Sequence, residues 1–312
     1  MSTNDEVPAY DDLPRIEGLG LPYSWEYFGR GDRWGTLNFL TPETVAKAAS
    51  TVTSGRVISL SLPADQPDPP LFGREPMRAV QFEVDRNTRD DRVDGYFPQG
   101  SSQWDGFLHV RAREFGFYGG VGAVEDPQET WLGIDTWARR GIVGRGVLLD
   151  VESYLRSQGE RGVPVDEQYV IDPELLVDAA DQQGTRVEPG DILLVRTGWP
   201  AKYAARPADA PPVAQIPGIH AGEATARLVW DWRVAALVTD LPAVEPVPGD
   251  RAVGSLHRRL LPLLGIPLAE LFDLEELAVA CAEARRYSFL FTAAPMNLYG
   301  AAGSPGNALA IL

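Results

Sequence analysis

The stretch Asp172-Pro-Glu-Leu-Leu-Val-Asp-Ala-Ala180, followed by Gly184 and then by Ile192-Leu-Leu-Val-Arg-Thr197, decides the fold class. Asp172 offers an N-cap, and Pro173 sits in the first turn, where its missing N–H costs nothing. Gly184 stands where a helix C-cap belongs. Residues 192–197 are a short apolar run bounded by turn residues, which reads as a strand. A capped helix handing over to an apolar strand is the repeating element of α/β proteins.

The alternation continues outward in both directions. Strands are expected at residues 56–62, 79–84, 146–151, 234–239 and 289–292. Helices are expected at 42–49, behind Thr41 as N-cap and Pro42, at 223–232, and at 277–285 behind the capping-box pair Asp273 and Glu276. Residues 141–146, with three glycines, read as a turn ahead of a strand, and the Pro/Ala run 206–217 as an irregular loop. The elements interleave without regular βαβ repeats. The expected fold is therefore α/β: a single compact domain, residues 21–312, with a mixed β-sheet core flanked by helices. A flexible or draped arm, residues 1–20, precedes it.

Composition narrows the function. Of 312 residues, 44 are acidic and 28 basic, a formal net charge of −16. That balance opposes binding to a phosphate backbone or an anionic membrane, so no nucleic-acid partner and no membrane partner are expected. The single cysteine, Cys281, excludes an intrachain disulfide and a Cys-based zinc site. No basic-then-apolar leader and no apolar run of membrane-spanning length occurs, so a cytoplasmic location is expected. G-x-S-x-G, P-loop, H-E-x-x-H and dinucleotide-loop patterns are absent, which leaves no nucleotide cofactor in view.

Three histidines remain to be placed. His109 closes the segment Gln99-Gly-Ser-Ser-Gln103-Trp-Asp105-Gly-Phe-Leu-His109. On an extended chain Gln99, Ser101, Gln103 and Asp105 share one face, and a turn after Gly106 would bring His109 back toward Asp105. Such a face suits a cation or a polar substrate; an Asp–His pair that merely pins a loop fits the spacing equally well. His257 opens a short apolar helix, which Pro262 or Gly265 should end, and Glu270 follows a return strand. His220 precedes the helix at 223–232 as a loop histidine that could touch substrate.

These segments resemble the cyclase family of metal-dependent hydrolases, which includes bacterial kynurenine formamidases (arylformamidases) and isatin hydrolases. The signature of that family is H-x-G-T-H-x-D-x-x-x-H, and the 99–109 segment resembles it with glutamines at two histidine positions. Further likeness lies in Arg33-Trp-Gly-Thr-Leu-Asn-Phe-Leu-Thr-Pro-Glu, residues 140–150, residues 189–198, His257 through Glu270, and Gly303-Ser-Pro-Gly-Asn-Ala-Leu-Ala-Ile311. The resemblance covers roughly residues 30–312 and resembles a Gln-Trp-Asp-Gly branch of the family.

The resemblance implies a cyclase-like (swivelling β/β/α) fold and a site on Asp105, His109, His257 and Glu270. Asp105, His257 and Glu270, with Gln103, would hold one divalent cation (Mn²⁺, Zn²⁺ or Mg²⁺). A second zinc is disfavoured because amide oxygens at Gln99 and Gln103 are weaker zinc ligands than imidazole. His109 would transfer protons beside Asp105, and Gln99, Trp104, Phe107, Tyr96, Phe97 and His220 would line the substrate site. The implied reaction is hydrolysis of a C–N bond in an N-formyl aryl amide or cyclic amide by a homodimer or tetramer acting on a small molecule. The segment 23–34 could serve the oligomer contact. Two other readings stand beside it: a metal-free cyclase, dehydratase or isomerase with His109 and Asp105 as an acid–base pair, and a non-catalytic small-molecule binder.

Overall fold

All but one of the apolar runs read as strands join a single sheet, which explains their composition; the exception is 79–84. The computed structural model describes residues 7–122 and 131–312. Its first strands are β1 (Val57–Ser59), β2 (Arg78–Asp85), β3 (Thr88–Asp94), β4 (Gln103–Asp105) and β5 (Ile142–Asp150). Then come β6 (Val170–Ile171), β7 (Ile192–Arg196), β8 (Gly218–Ile219) and β9 (Ala236–Thr239). The last are β10 (Leu268–Glu270), β11 (Ser288–Ala293), β12 (Gly303–Pro305) and β13 (Ala308–Ile311).

Nine of these form one mixed sheet in the order β1-β13-β11-β5-β7-β9-β10-β4-β12. The run β5-β7-β9-β10 is parallel, and the remaining pairs are antiparallel. Parallel strands are covered on both faces, so β9 is wholly buried and β7 nearly so, and both are apolar without alternation. Only Gly306 and Asn307 separate β12 from β13, although the two lie near opposite margins of the sheet. Three Cα steps reach at most about 11 Å, so the margins must approach and the sheet curls upon itself. Backbone contacts of Phe272 with Ser61 and of Asp273 N–H with Leu60 O, 3.0 Å, close the same seam.

Helices Pro42–Ala49, Val151–Ser157, Pro173–Gln182, Glu223–Asp231 and Glu275–Ala284 flank the sheet. Thr41 caps its helix as expected, accepting from Thr44 N–H at 3.3 Å. Asp172 does not cap with its side chain. Residues 142–146 are not a turn but the first half of β5, where Gly146 lets Phe289 of β11 cross its face. Residues 78–94 form a separate two-stranded hairpin, β2 with β3, exposed along its length.

The arm is draped over residues 7–20 rather than loose. Tyr10, Leu13 and Ile16 are buried; Tyr10 N–H donates to Asp231 at 2.8 Å, and the Trp230 indole donates to Pro8 O at 2.9 Å. The aromatic stretch that follows grips the segment carrying His257. Ser24 N–H donates to Leu263 O, the Trp25 indole to Pro262 O, and Thr36 N–H to Gly265 O, at 2.9, 2.6 and 2.8 Å. Gly35 is required there, because a Cβ would stand 1.9 Å from Gly265 O. No helix among the described residues is long and apolar enough to cross a membrane.

Candidate active site

Two short strands form the floor. β4 and β10 pair antiparallel with Gln103 opposite Glu270 and Asp105 opposite Leu268. Side chains alternate along a strand, so Gln103, Asp105 and Glu270 share one face and Trp104 points the other way. The Gln103 amide donates to Glu270 Oε2 at 2.6 Å and reaches Asp105 Oδ1 at 3.5 Å. Its nitrogen has to face the carboxylates, since the amide oxygen there would be repelled. On the other side of β4, Gly303 of β12 lies opposite Asp105; the Gln99 amide occupies the space a side chain at Gly303 would need.

The histidines come from the turns beyond these strands. After Gly106 the chain folds back, His109 N–H donating to Gly106 O at 2.9 Å, and the ring returns to Asp105 with Nε2 3.7 Å from Oδ1. His257 sits in the short helix Leu256–Arg258, which Ser255 caps by accepting from Arg258 N–H at 3.3 Å. Its Nε2 lies 3.0 Å from Glu270 Oε1 and 3.7 Å from Asp105 Oδ2. The two imidazole centroids are 6.2 Å apart.

Glu245 completes the group. Its carboxylate bonds the His257 Nδ1, accepts the His257 backbone N–H at 3.1 Å, and accepts the Ser255 hydroxyl at 2.8 Å. The adjacent Val244 N–H donates to Glu270 Oε1 at 3.0 Å, so one loop orients both an imidazole and a carboxylate. Sequence reading missed Glu245. The available signal was a lone carboxylate in the apolar, proline-rich stretch after β9, 12 residues ahead of His257.

Burial makes these charges matter. Burial and the neighbouring Asp105 push the Glu270 carboxyl up to about 7. Burial alone would lower the His257 imidazolium, but Glu245, Asp105 and Glu270 outweigh it and hold His257 well above the usual histidine range. Burial would raise Glu245 as well, yet the charge and hydrogen bonds of His257 bring it below the usual carboxylate range.

The donor set fits a divalent cation. Asp105, His109 and His257 each offer a ligand atom, all within 4.8 Å of one another, a spacing that one ion can span. Asp105 Oδ2 and Gln103 Oε1 are buried without a hydrogen-bond partner, which is costly unless something else satisfies them. A carboxylate anchoring the far nitrogen of His257 is the usual support of a metal-ligating imidazole.

The other expected site residues divide. Trp104 is not available to a substrate: it is fully buried between Phe272 and Phe291 at 5.8 and 6.1 Å, because alternation turns it into the core. Phe107 is likewise a core residue, against Tyr118 and Trp137 at 4.4 and 5.0 Å. His220 accepts the Gly222 N–H at 3.3 Å beside the helix start, and makes no hydrogen bond or ion pair to the cluster among the described residues. Tyr96 and Phe97 are exposed, and no contact joins either to the cluster among the described residues.

Comparison with known proteins agrees with this arrangement of strands. Residues 58–246 match the family model Cyclase. The crystal structure of a novel cyclase is 30% identical, covers 93% of this chain and 99% of its own, and superposes with a TM-score of 0.80. Isatin hydrolase A from Labrenzia aggregata, bound to benzyl benzoate, is 19% identical over 85% of this chain and 98% of its own, with a TM-score of 0.58. Isatin hydrolase A from Ralstonia solanacearum is 17% identical over 86% and 97%, with a TM-score of 0.56. The two isatin hydrolases share the fold. No match is found among curated proteins.

Proposed function

This chain belongs to the cyclase family, and from that premise we propose a metal-dependent hydrolase of a C–N bond in an N-formyl aryl amide or a cyclic amide. The observation that carries the proposal is the buried, unpartnered Asp105 Oδ2, facing His257 Nε2 across 3.7 Å with Glu270 alongside. Asp105, His257 and Glu270 would hold the cation, with the free Gln103 Oε1 in reserve; His109, whose ligand atom lies within the same 4.8 Å spacing of Asp105 and His257, is left to proton transfer. When bound, such a cation supplies Lewis acidity toward a carbonyl and toward water.

The chain's own residues do the rest. Glu245 fixes the His257 ring so that Nε2 faces the cluster. Gln103 holds Glu270 in place through its amide N–H. His109 is the more exposed imidazole, its side chain 30% accessible against 13% for His257. That position suits a group that takes a proton at Nε2 and returns it to the leaving nitrogen. Tyr96 and Phe97 offer an apolar rim for an aryl group. The row Val80, Phe82 and Val84, exposed on one face of β2, supports the homo-oligomer that the family implies.

The test is turnover by chelator-treated protein reloaded separately with Mn²⁺, Zn²⁺ and Mg²⁺, using formanilide and isatin. We expect at least one cation to restore hydrolysis. Absence of turnover with every cation and both substrates would reject the hydrolase reading. The Gln103 amide between Asp105 and Glu270 favours a second reading, because it lets two carboxylates adjoin without a cation. That reading, a metal-free cyclase, dehydratase or isomerase, would be adopted if turnover persisted after complete metal removal.

A further inference from the structure

A buried hydroxyl on the strand beside Glu270 has no partner inside the protein. β9 runs parallel to β10 with Leu237 opposite Leu268 and Val238 opposite Ala269, so the next step sets Thr239 beside Glu270. The two chains stay joined past that step, Phe272 N–H donating to Thr239 O at 3.1 Å and Leu271 N–H to Leu241 O at 2.9 Å. Alternation then decides the face. Leu237 and Thr239 share the side of Leu268 and Glu270, which is also the side of Gln103 and Asp105. Val238, Ala269 and Trp104 form the opposite row, the one on which Trp104 meets Phe291.

Thr239 is fully buried, and its Oγ1 makes no hydrogen bond. Buried hydroxyls are nearly always paired, because an unmade bond leaves the whole desolvation penalty standing. Asp105 Oδ2 and Gln103 Oε1 are unpaired on the same face of the sheet. Among the described residues, every other buried side-chain atom without a partner belongs to a helix. One guest bonded to all three strand residues is a simpler cause than three separate defects.

We propose that the Thr239 hydroxyl donates a hydrogen bond to the acyl oxygen of the bound molecule, the amide carbonyl of a substrate and the carboxylate of its product. Calling that oxygen an amide's rests on the hydrolase reading, although binding can be measured apart from it. Ionised carboxylates only accept, and the Gln103 N–H is engaged with Glu270 at 2.6 Å. Thr239 is therefore the uncommitted donor of this floor. It stands on the β9 side of Glu270, whereas His109 stands on the far side, beyond Asp105. The oxygen and the nitrogen of one ligand are thus met from opposite ends.

Calorimetry with 2-aminobenzoate on the full chain, with and without Mn²⁺, tests this in Thr239→Val and Thr239→Ser. Valine keeps the shape and removes the hydroxyl; serine keeps the hydroxyl and removes a methyl. Thr239→Val should bind the acid on the order of 10-fold more weakly and bind Mn²⁺ as the wild type does. It should melt no lower, since no bond within the protein is lost. Thr239→Ser should bind the acid within about threefold of the wild type. Unchanged acid affinity in Thr239→Val, a lower melting temperature for it, or no binding of the acid by the wild type in either form would overturn the proposal. So would an equal loss in Thr239→Ser, which would assign the effect to packing. If the hydroxyl effect holds while formanilide and isatin are left intact with every cation, the contact stands and the hydrolase reading alone fails.

Discussion

Glu245 binds His257 at both its ring Nδ1 and its backbone N–H, so the imidazole can turn only its Nε2 toward Asp105 and Glu270. If that arrangement supports a metal-ligating imidazole, Glu245→Gln should lower divalent-cation affinity roughly 10- to 100-fold while the protein stays folded. Titration calorimetry with Mn²⁺ and Zn²⁺ checks this. Unchanged affinity would reduce Glu245 to a loop staple.

His109→Ala should separate proton transfer from structure. Its Nε2 stands 3.7 Å from Asp105, beyond hydrogen-bond length, and the side chain is partly open to solvent. Its loss should therefore shift the melting temperature little, while turnover drops on the order of 10²- to 10⁴-fold and bound metal is retained. A variant that stays active but melts several degrees lower would make His109 the structural partner of Asp105.

Stability of the metal-stripped protein should decline as pH rises from about 5 to 7. Glu270 titrates at about 7 in the folded state against an ordinary 4.5, so within that window the folded chain binds more protons than the unfolded one. Its contribution is fully present below 4.5 and lost as pH climbs through 7. Asp240, buried and pushed up to about 7, and Asp191, pushed up to about 6, act in the same direction. His257 adds a further loss above 6.5, and the lowered Glu245 matters only on the acid side. Glu270→Gln mimics the protonated carboxyl and should flatten part of the slope in thermal melts. A slope identical to wild type would place the Glu270 carboxyl in the ordinary range.

Restoring imidazoles at the glutamine positions should strengthen zinc binding. Gln103 lies on the shared face with Asp105 and Glu270, and Gln99 lies against Gly303 on the neighbouring strand. Gln99→His with Gln103→His should tighten Zn²⁺ at least about tenfold by calorimetry. No gain would mean the added rings do not reach the ion.

Periodicity and caps made the central strands legible. Residues 192–197 and 234–239 announce β7 and β9 because strands covered on both faces carry uninterrupted apolar residues. The floor strands β4 and β10, three residues each, are too short for any periodicity to register. Asp105, His109, His257 and Glu270 became a group through family resemblance, and their proximity depends on a pairing 163 positions apart that spacing cannot reveal. Trp104 was misread because an aromatic between two polar residues looks like a pocket wall until alternation sends it inward.

The floor on β4 and β10 is all strand, hydrogen-bonded into the sheet, whereas Tyr96 and Phe97 stand on the loop at the foot of the exposed hairpin. Insertions and exchanges in that rim leave the sheet register untouched, because loop changes are absorbed locally. If Tyr96 and Phe97 border the substrate as proposed, mutation there would alter which molecule is admitted without disturbing the chemistry beneath it. Descendants of such a chain would diverge in diet long before they diverged in reaction.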